Sequence, residues 1–177
     1  MTATRVDAAL IRSIPLFSEL SDEPARILAA SASRHTFTER TILFREGDRP
    51  GNIYTVLHGA VELYTEDDDK KCTIAIIPAV RTFALPSILT GHASLSARIL
   101  EPSELIAVPV TSVAEILRQD AGFASVAMRE LARECDEVVE DFKSYRLRST
   151  TERVAYWMLR SDSKSGDTGQ ILSLIHI

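Results

Sequence analysis

The chain has 177 residues and a formal net charge of −5, enough for one domain and part of a second, and too acidic for a protein that binds polyanions over its whole surface. Apolar residues make up 45% of it, yet no run of about 18 apolar residues occurs, so no membrane span is expected. The polar start "MTATRVDAALIRS" lacks an apolar signal core, and 2 cysteines are too few for a disulfide framework, so a reducing, cytoplasmic setting is expected.

In chain order, Asp7 to Ser13 reads as a short helix with Val6, Leu10 and Ile11 on one face, ended by Pro15. "SELSDEPARILAASA" starts a second helix: Ser21 is a good N-cap, Pro24 sits in the first turn, and Ile27, Leu28 and Ser31 continue the apolar stripe. From His35 the period falls to about two, and "HTFTERTILF" is rich in strand formers. "EGDRPGN" is dense in turn residues. "IYTVL" and "VELYT" then flank the tight reversal "HGA". "EDDDKK" is a charged hairpin tip before the strand "CTIAII". "PSILTGHAS" holds one helical turn begun by Pro86, and "LSARIL" and "ELIAVP" pair around the turn "EPS". Many short, closely spaced strands predict an antiparallel sandwich or barrel.

Helices then return. Thr111 caps "SVAEILRQD", and Gly122 precedes a long helix from Phe123 to about Leu147. Ala124, Met128, Leu131, Cys135, Val138, Phe142 and Tyr145 alternate at spacings of four and three, a seam of about three heptads with charged flanks. So narrow a stripe suits pairing with a second copy better than packing on the chain's own sheets. In "RSTTERVAYWML", Arg148 to Leu159, Thr150 or Thr151 caps a further helix, and "ILSLIHI" starts an apolar run.

This order of elements resembles the CRP/FNR family of bacterial transcription regulators over roughly residues 14–172. "FREGD…IYTVLHGAVELY" looks like that family's roll, with Gly47 and Gly59 at turns and Tyr54 and Val56 inside. "LFSELSDEPARILAASA" looks like the segment before it, and "RSTTERVAYWMLR" like the first helix of its DNA-binding domain. The resemblance implies an α+β fold: an antiparallel double-stranded β-helix, or jelly roll, with flanking helices and a long dimerisation helix. The implied domains are a sensor over 1–120, the dimerisation helix over 121–147, and over 148–177 a hinge and the truncated start of a winged helix-turn-helix. The closing "SLIHI" resembles translated adapter sequence, so the natural chain is expected to differ from about Ser173 onward.

The implied function is transcription regulation by a homodimer that binds DNA through its C-terminal domain and senses a small-molecule effector in the roll. Relatives that bind cyclic nucleotides carry Gly-Glu near the short helix and Arg-Ser/Ala-Ala on the next strand. Here "FALPSILTGHASLSARIL" has Ala84-Leu85 and Leu95-Ser96-Ala97 at those places, with no carboxylate and with Arg98 as its one cation. With Leu95, Ala97 and Ile99 inward, Arg98 points outward. Phe83, Ala84, Leu85, Ser96, Ala97 and Arg98 therefore mark a degenerate effector pocket, filled by apolar side chains or open to a less charged ligand. The turn at Pro86 is the one remaining source of anion-binding N–H groups. Phe83, Leu85, Leu89 and Leu95 are expected where roll meets helix.

No cofactor is expected. An iron–sulfur cluster needs about four thiolates, and Cys72 and Cys135 read as small buried hydrophobes. His35 and His58 read as surface residues, which leaves His92 as the best haem-ligand candidate, although a lone loop histidine is usually solvated. No metal site and no catalytic residue is expected. A cupin-like metal enzyme would need closely spaced histidines and leaves the long helix unexplained. A nucleotide-binding-like regulatory module that does not bind DNA is the remaining alternative.

Overall fold

The structure, a computed structural model, describes residues 4–68, 70–147, 149, 151 and 152, with side chains from Val6 onward. The first packing unit runs to Leu131 and the second begins at Ala132.

Helix α1 spans Ala8–Ser13, and the Asp7 carboxylate caps it by accepting from the Leu10 N–H at 2.8 Å. A 3₁₀ turn at Pro15–Phe17 buries Leu16 and Phe17. Helix α2 spans Asp22–Ser31, with Asp22 and Glu23 in its first turn, where the helix dipole favours carboxylates. Its buried face is Ala25, Leu28 and Ala29. Ile27 is 45% exposed, so the stripe drawn through it is corrected.

Nine strands follow the chain: β1 Thr4–Arg5, β2 Ser33–Phe37, β3 Ile42–Phe44, β4 Asn52–His58, β5 Val61–Asp67, β6 Lys70–Ile77, β7 Thr82–Phe83, β8 Ser96–Ile99 and β9 Ser103–Pro109. They form two antiparallel sheets, ordered β1-β2-β9-β4-β7 and β3-β8-β5-β6. Short helix α3 spans Ser87–Thr90, between β7 and β8, and α4 (Val110–Gln119) and α5 (Ala121–Leu147) follow β9. The antiparallel roll with flanking helices and a long final helix is the fold expected.

Three local expectations are corrected. "HTFTERTILF" is two strands in different sheets, broken where Arg40 adopts φ 64° and gives its N–H to the Ile99 carbonyl at 2.8 Å. "IYTVL" and "VELYT" do not pair: β4 lies in the first sheet and β5 in the second. Nor do β8 and β9, which lie in the second and first sheets. Both reversals are corners where the chain crosses between sheets, and a corner uses the same turn residues as a hairpin. The corners pack on each other. Ser103 Oγ accepts from the Ala60 N–H at 3.1 Å and donates to the Glu101 carbonyl at 2.7 Å. Gly59 has φ 85°, and a Cβ there would lie 2.1 Å from Ser103 Oγ and 2.8 Å from the Pro102 carbonyl oxygen. The hairpin at the acidic tip does form, with β5 and β6 in register from Val61↔Ile77 to Asp67↔Lys70.

The first sheet divides two cores. By strand alternation Ile53, Ile106 and Val108 face the helices and pack with Leu28, Val113 and Phe123. The opposite face presents Val56, Phe83 and Leu105 to Val61, Ala97 and Ile99 inside the roll. Helix α5 contributes Phe123, Val126 and Ala127 to the first core, and Asp120 Oδ1 caps its start through the Phe123 N–H at 2.9 Å. Thr111 lies inside α4, whose N-cap position is Pro109. At the next helix start the cap is Ser149, not Thr150 or Thr151. Ser149 N–H donates to Glu152 Oε2 at 2.8 Å, and Glu152 N–H to Ser149 Oγ at 3.4 Å, the reciprocal pattern of a capping box. The rest of the 148–159 helix and the 160–177 segment lie outside the described residues.

Candidate functional site

The stretch 83–98 runs through β7, α3 and β8. Phe83 faces the roll interior, with ring centroids 5.5 Å from Tyr54 and 6.3 Å from Phe44, and Phe44 and Tyr54 stand 6.0 Å apart. These three rings and Ala97 occupy the interior beneath the stretch. Ala84 adopts φ 67°, a left-handed conformation. Leu85 packs into the helical core and Leu89 is 80% exposed, while Leu95 is half-buried. Those four expected roll–helix residues thus do not form one surface. The amides that open α3 are used locally: Ser87 N–H donates to the Ala84 carbonyl at 3.2 Å and Ile88 N–H to the Leu85 carbonyl at 3.1 Å.

Arg98 stands opposite Glu62 on the face away from Ala97 and Ile99, as alternation requires. Glu62, only 4% exposed, accepts from Arg98 Nε, from Lys71 Nζ at 2.7 Å and from Thr73 Oγ1 at 2.5 Å. Burial pushes the Glu62 carboxyl up, but these donors outweigh it and hold it below the usual carboxylate range. Tyr64 lies beside this group, with Lys71 Nζ 4.2 Å and the Arg98 guanidinium carbon 5.6 Å from its ring centre. The sequence reading missed Glu62, because its partners come from three strand positions that only the register brings together.

A second feature it missed is an open cleft of about 240 Å³ at one edge of the roll. His35 and Phe37 of β2, Ile42 and Leu43 of β3, and Asn52 and Tyr54 of β4 line it. His35, expected at the surface, is half-buried. Its Nε2 is 2.7 Å from Ser33 Oγ, while its Nδ1 is buried with no hydrogen-bond partner. Burial pushes the Tyr54 hydroxyl pKa up, opposed by a hydrogen bond with Asn52. No residue of the 83–98 stretch lines this cleft.

His92 is exposed, with Nδ1 3.0 Å from the Thr90 carbonyl. Cys72 and Cys135 are both exposed, which corrects their reading as buried. Among the described residues, no group of three or more His, Cys, Asp or Glu is placed to hold a metal ion, and no helix is long and apolar enough to cross a membrane.

On α5, Leu131 packs against the helical core. Met128, Val138, Phe142 and Tyr145 are 70%, 63%, 60% and 64% exposed. Arg133–Glu137 and Lys143–Glu140 pairs, each at 2.7 Å, flank this stripe.

Residues 34–120 match the family model of the cyclic nucleotide-binding domain. A curated relative, the global nitrogen regulator of Nostoc sp. (strain PCC 7120 / SAG 25.82 / UTEX 2576), is 28% identical over 101 residues, 55% of this chain and 45% of that protein. The chain thus matches less than half the length of that relative. Among solved structures, the Thermus thermophilus catabolite activator protein aligns with a TM-score of 0.62 and 25% identity over 85% of this chain and 72% of its own. The sensor domain of the transcriptional regulator DNR from Pseudomonas aeruginosa aligns with a TM-score of 0.64 and 21% identity over 72% of this chain and 91% of its own. Residues 34–120 are therefore a domain of the cyclic nucleotide-binding family, in a chain similar to regulators of the CRP/FNR type.

Proposed function

We propose that this chain is the sensor part of a cytoplasmic, homodimeric transcription regulator of the CRP/FNR type, responding to an effector other than a cyclic nucleotide. It is a regulator, not an enzyme. The observation that carries the reading is the exposed apolar stripe of α5, with Met128, Val138, Phe142 and Tyr145 at seam spacing between charged flanks. Such a stripe is costly in water and is covered by the same stripe of a second copy. Cys135 lies on the same seam.

The choice of effector follows from the 83–98 stretch. A buried cyclic phosphate calls for a cation and free amides, and a ribose hydroxyl for an acceptor. Arg98 is committed to Glu62, the α3 amides are used locally, and Ala84 and Leu85 offer no carboxylate. The effector shifts the balance between two dimer arrangements, and the segment from Arg146 to Thr151 passes that shift to a DNA-binding domain.

Sedimentation equilibrium tests the dimer. The wild-type chain is expected to sediment as a dimer. Val138→Asp combined with Phe142→Asp is expected to weaken association at least tenfold, with an unchanged circular dichroism spectrum. A monomeric wild-type chain, or a dimer unaffected by both substitutions, would contradict the reading.

A further inference from the structure

We infer that the cleft between His35, Phe37, Asn52 and Tyr54 binds a small uncharged ligand with a one-ring apolar body and a single hydrogen-bonding group that pairs with His35 Nδ1. The inference rests on the reading of the roll as a sensor and supplies the chemistry of its effector.

Three observations carry it. First, no Lys, Arg, Asp or Glu lines the cleft. A charged ligand would lose its hydration there and gain no counter-ion. Second, His35 Nδ1 is a buried polar atom without a partner. Buried polar groups are satisfied in almost all folded proteins, so this atom asks for a partner from the cleft. Its other nitrogen already faces Ser33 Oγ, which fixes the imidazole and leaves Nδ1 as the free position. Third, about 240 Å³ is below the roughly 300–1,000 Å³ of sites for drug-sized ligands, which limits the occupant to about one ring. Phe37 and Tyr54 offer aromatic walls to such a ring.

The cleft is also connected to the rest of the roll. Tyr54 pairs with Phe83 in the β4–β7 register and stacks on it at 5.5 Å. A ligand that reorients Tyr54 displaces Phe83, and Phe83 opens the 83–98 stretch. The effector would thus enter at the edge of the roll and act on that stretch without occupying it.

The test is an amide nuclear magnetic resonance titration of the full chain with two probes of equal size, 4-methylphenol and toluene. Saturable shifts are expected at residues 35–37, 42–43, 52–54 and 107, with 4-methylphenol bound about tenfold tighter than toluene. The His35 Nδ1 resonance is expected to move with 4-methylphenol and to stay with toluene. In His35→Phe, which keeps a ring and removes the nitrogens, 4-methylphenol affinity is expected to fall to that of toluene. Should that variant fail to fold, the Nδ1 resonance of the wild type decides alone. Equal affinity for the two probes, shifts centred on 83–98, or no saturable shift would overturn the assignment. A monomeric chain that still binds 4-methylphenol at His35 would sink the regulator reading and leave the cleft standing. A dimer with no such binding would do the reverse.

Discussion

At the scale of single residues, three backbone positions concentrate conformational cost. Val80 holds φ 65° and Ala84 φ 67°, where a side chain costs roughly 1–2 kcal/mol relative to glycine. Val80 is also β-branched and 54% exposed, so its side chain gains little from burial in return. Val80→Gly is expected to stabilise the fold by about 0.5–1 kcal/mol in urea denaturation, and a loss of stability would show that its side chain has a role in packing. Gly59 is the opposite case. Gly59→Ala meets Ser103 and the Pro102 carbonyl at a positive φ, and a loss of about 2 kcal/mol or more is expected. Gly47 and Gly59 were legible as turn glycines from the sequence, and their φ values of 84° and 85° agree. Glu62 was not legible. Arg98 is 36 residues away along the chain and becomes its partner only through strand register. Because the folded Glu62 carboxyl lies below its ordinary range, the unfolded chain takes up the proton first as pH falls. The stabilisation is therefore complete above the ordinary carboxylate range and disappears as pH drops through the depressed value. Thermal unfolding from about pH 6 to about pH 3 is expected to show a falling midpoint. Glu62→Gln is expected to flatten that slope and to cost about 1–3 kcal/mol at neutral pH, by leaving Arg98 and Lys71 without their carboxylate.

At the scale of elements, period and propensity located every helix and strand segment that mattered, but not which strands were neighbours. A run such as "IYTVLHGAVELY" alternates equally well in a hairpin and around a sandwich corner. What decides is the Ser103 hydroxyl joining the two corners at Ala60 and Glu101. The cleft was hidden for the same reason, since β2, β3 and β4 meet there from both sheets. Helix α5 was easier to read because its seam is local. Its first turns bury Phe123, Val126 and Ala127, while Val138, Phe142 and Tyr145 stay exposed. Leu131 belongs with the buried set, which makes Val138 and Phe142 the cleaner positions for testing the seam.

At the scale of the molecule, one sheet separates a helical core from a roll interior, and the two cores carry different duties. The helical core joins α2, α4 and the start of α5 to the first sheet through Leu28, Ile116, Phe123, Ile106 and Val108. Ile106→Ala is expected to cost about 2–5 kcal/mol of stability, measured by denaturant titration. The roll interior is packed by Phe44, Tyr54 and Phe83 where related domains are named for holding a nucleotide. The central claim is that this roll senses something other than a cyclic nucleotide. Calorimetric titration of the chain with cyclic AMP and cyclic GMP tests it most directly. No saturable heat up to about millimolar ligand is the expected result, and micromolar binding of either nucleotide would contradict it.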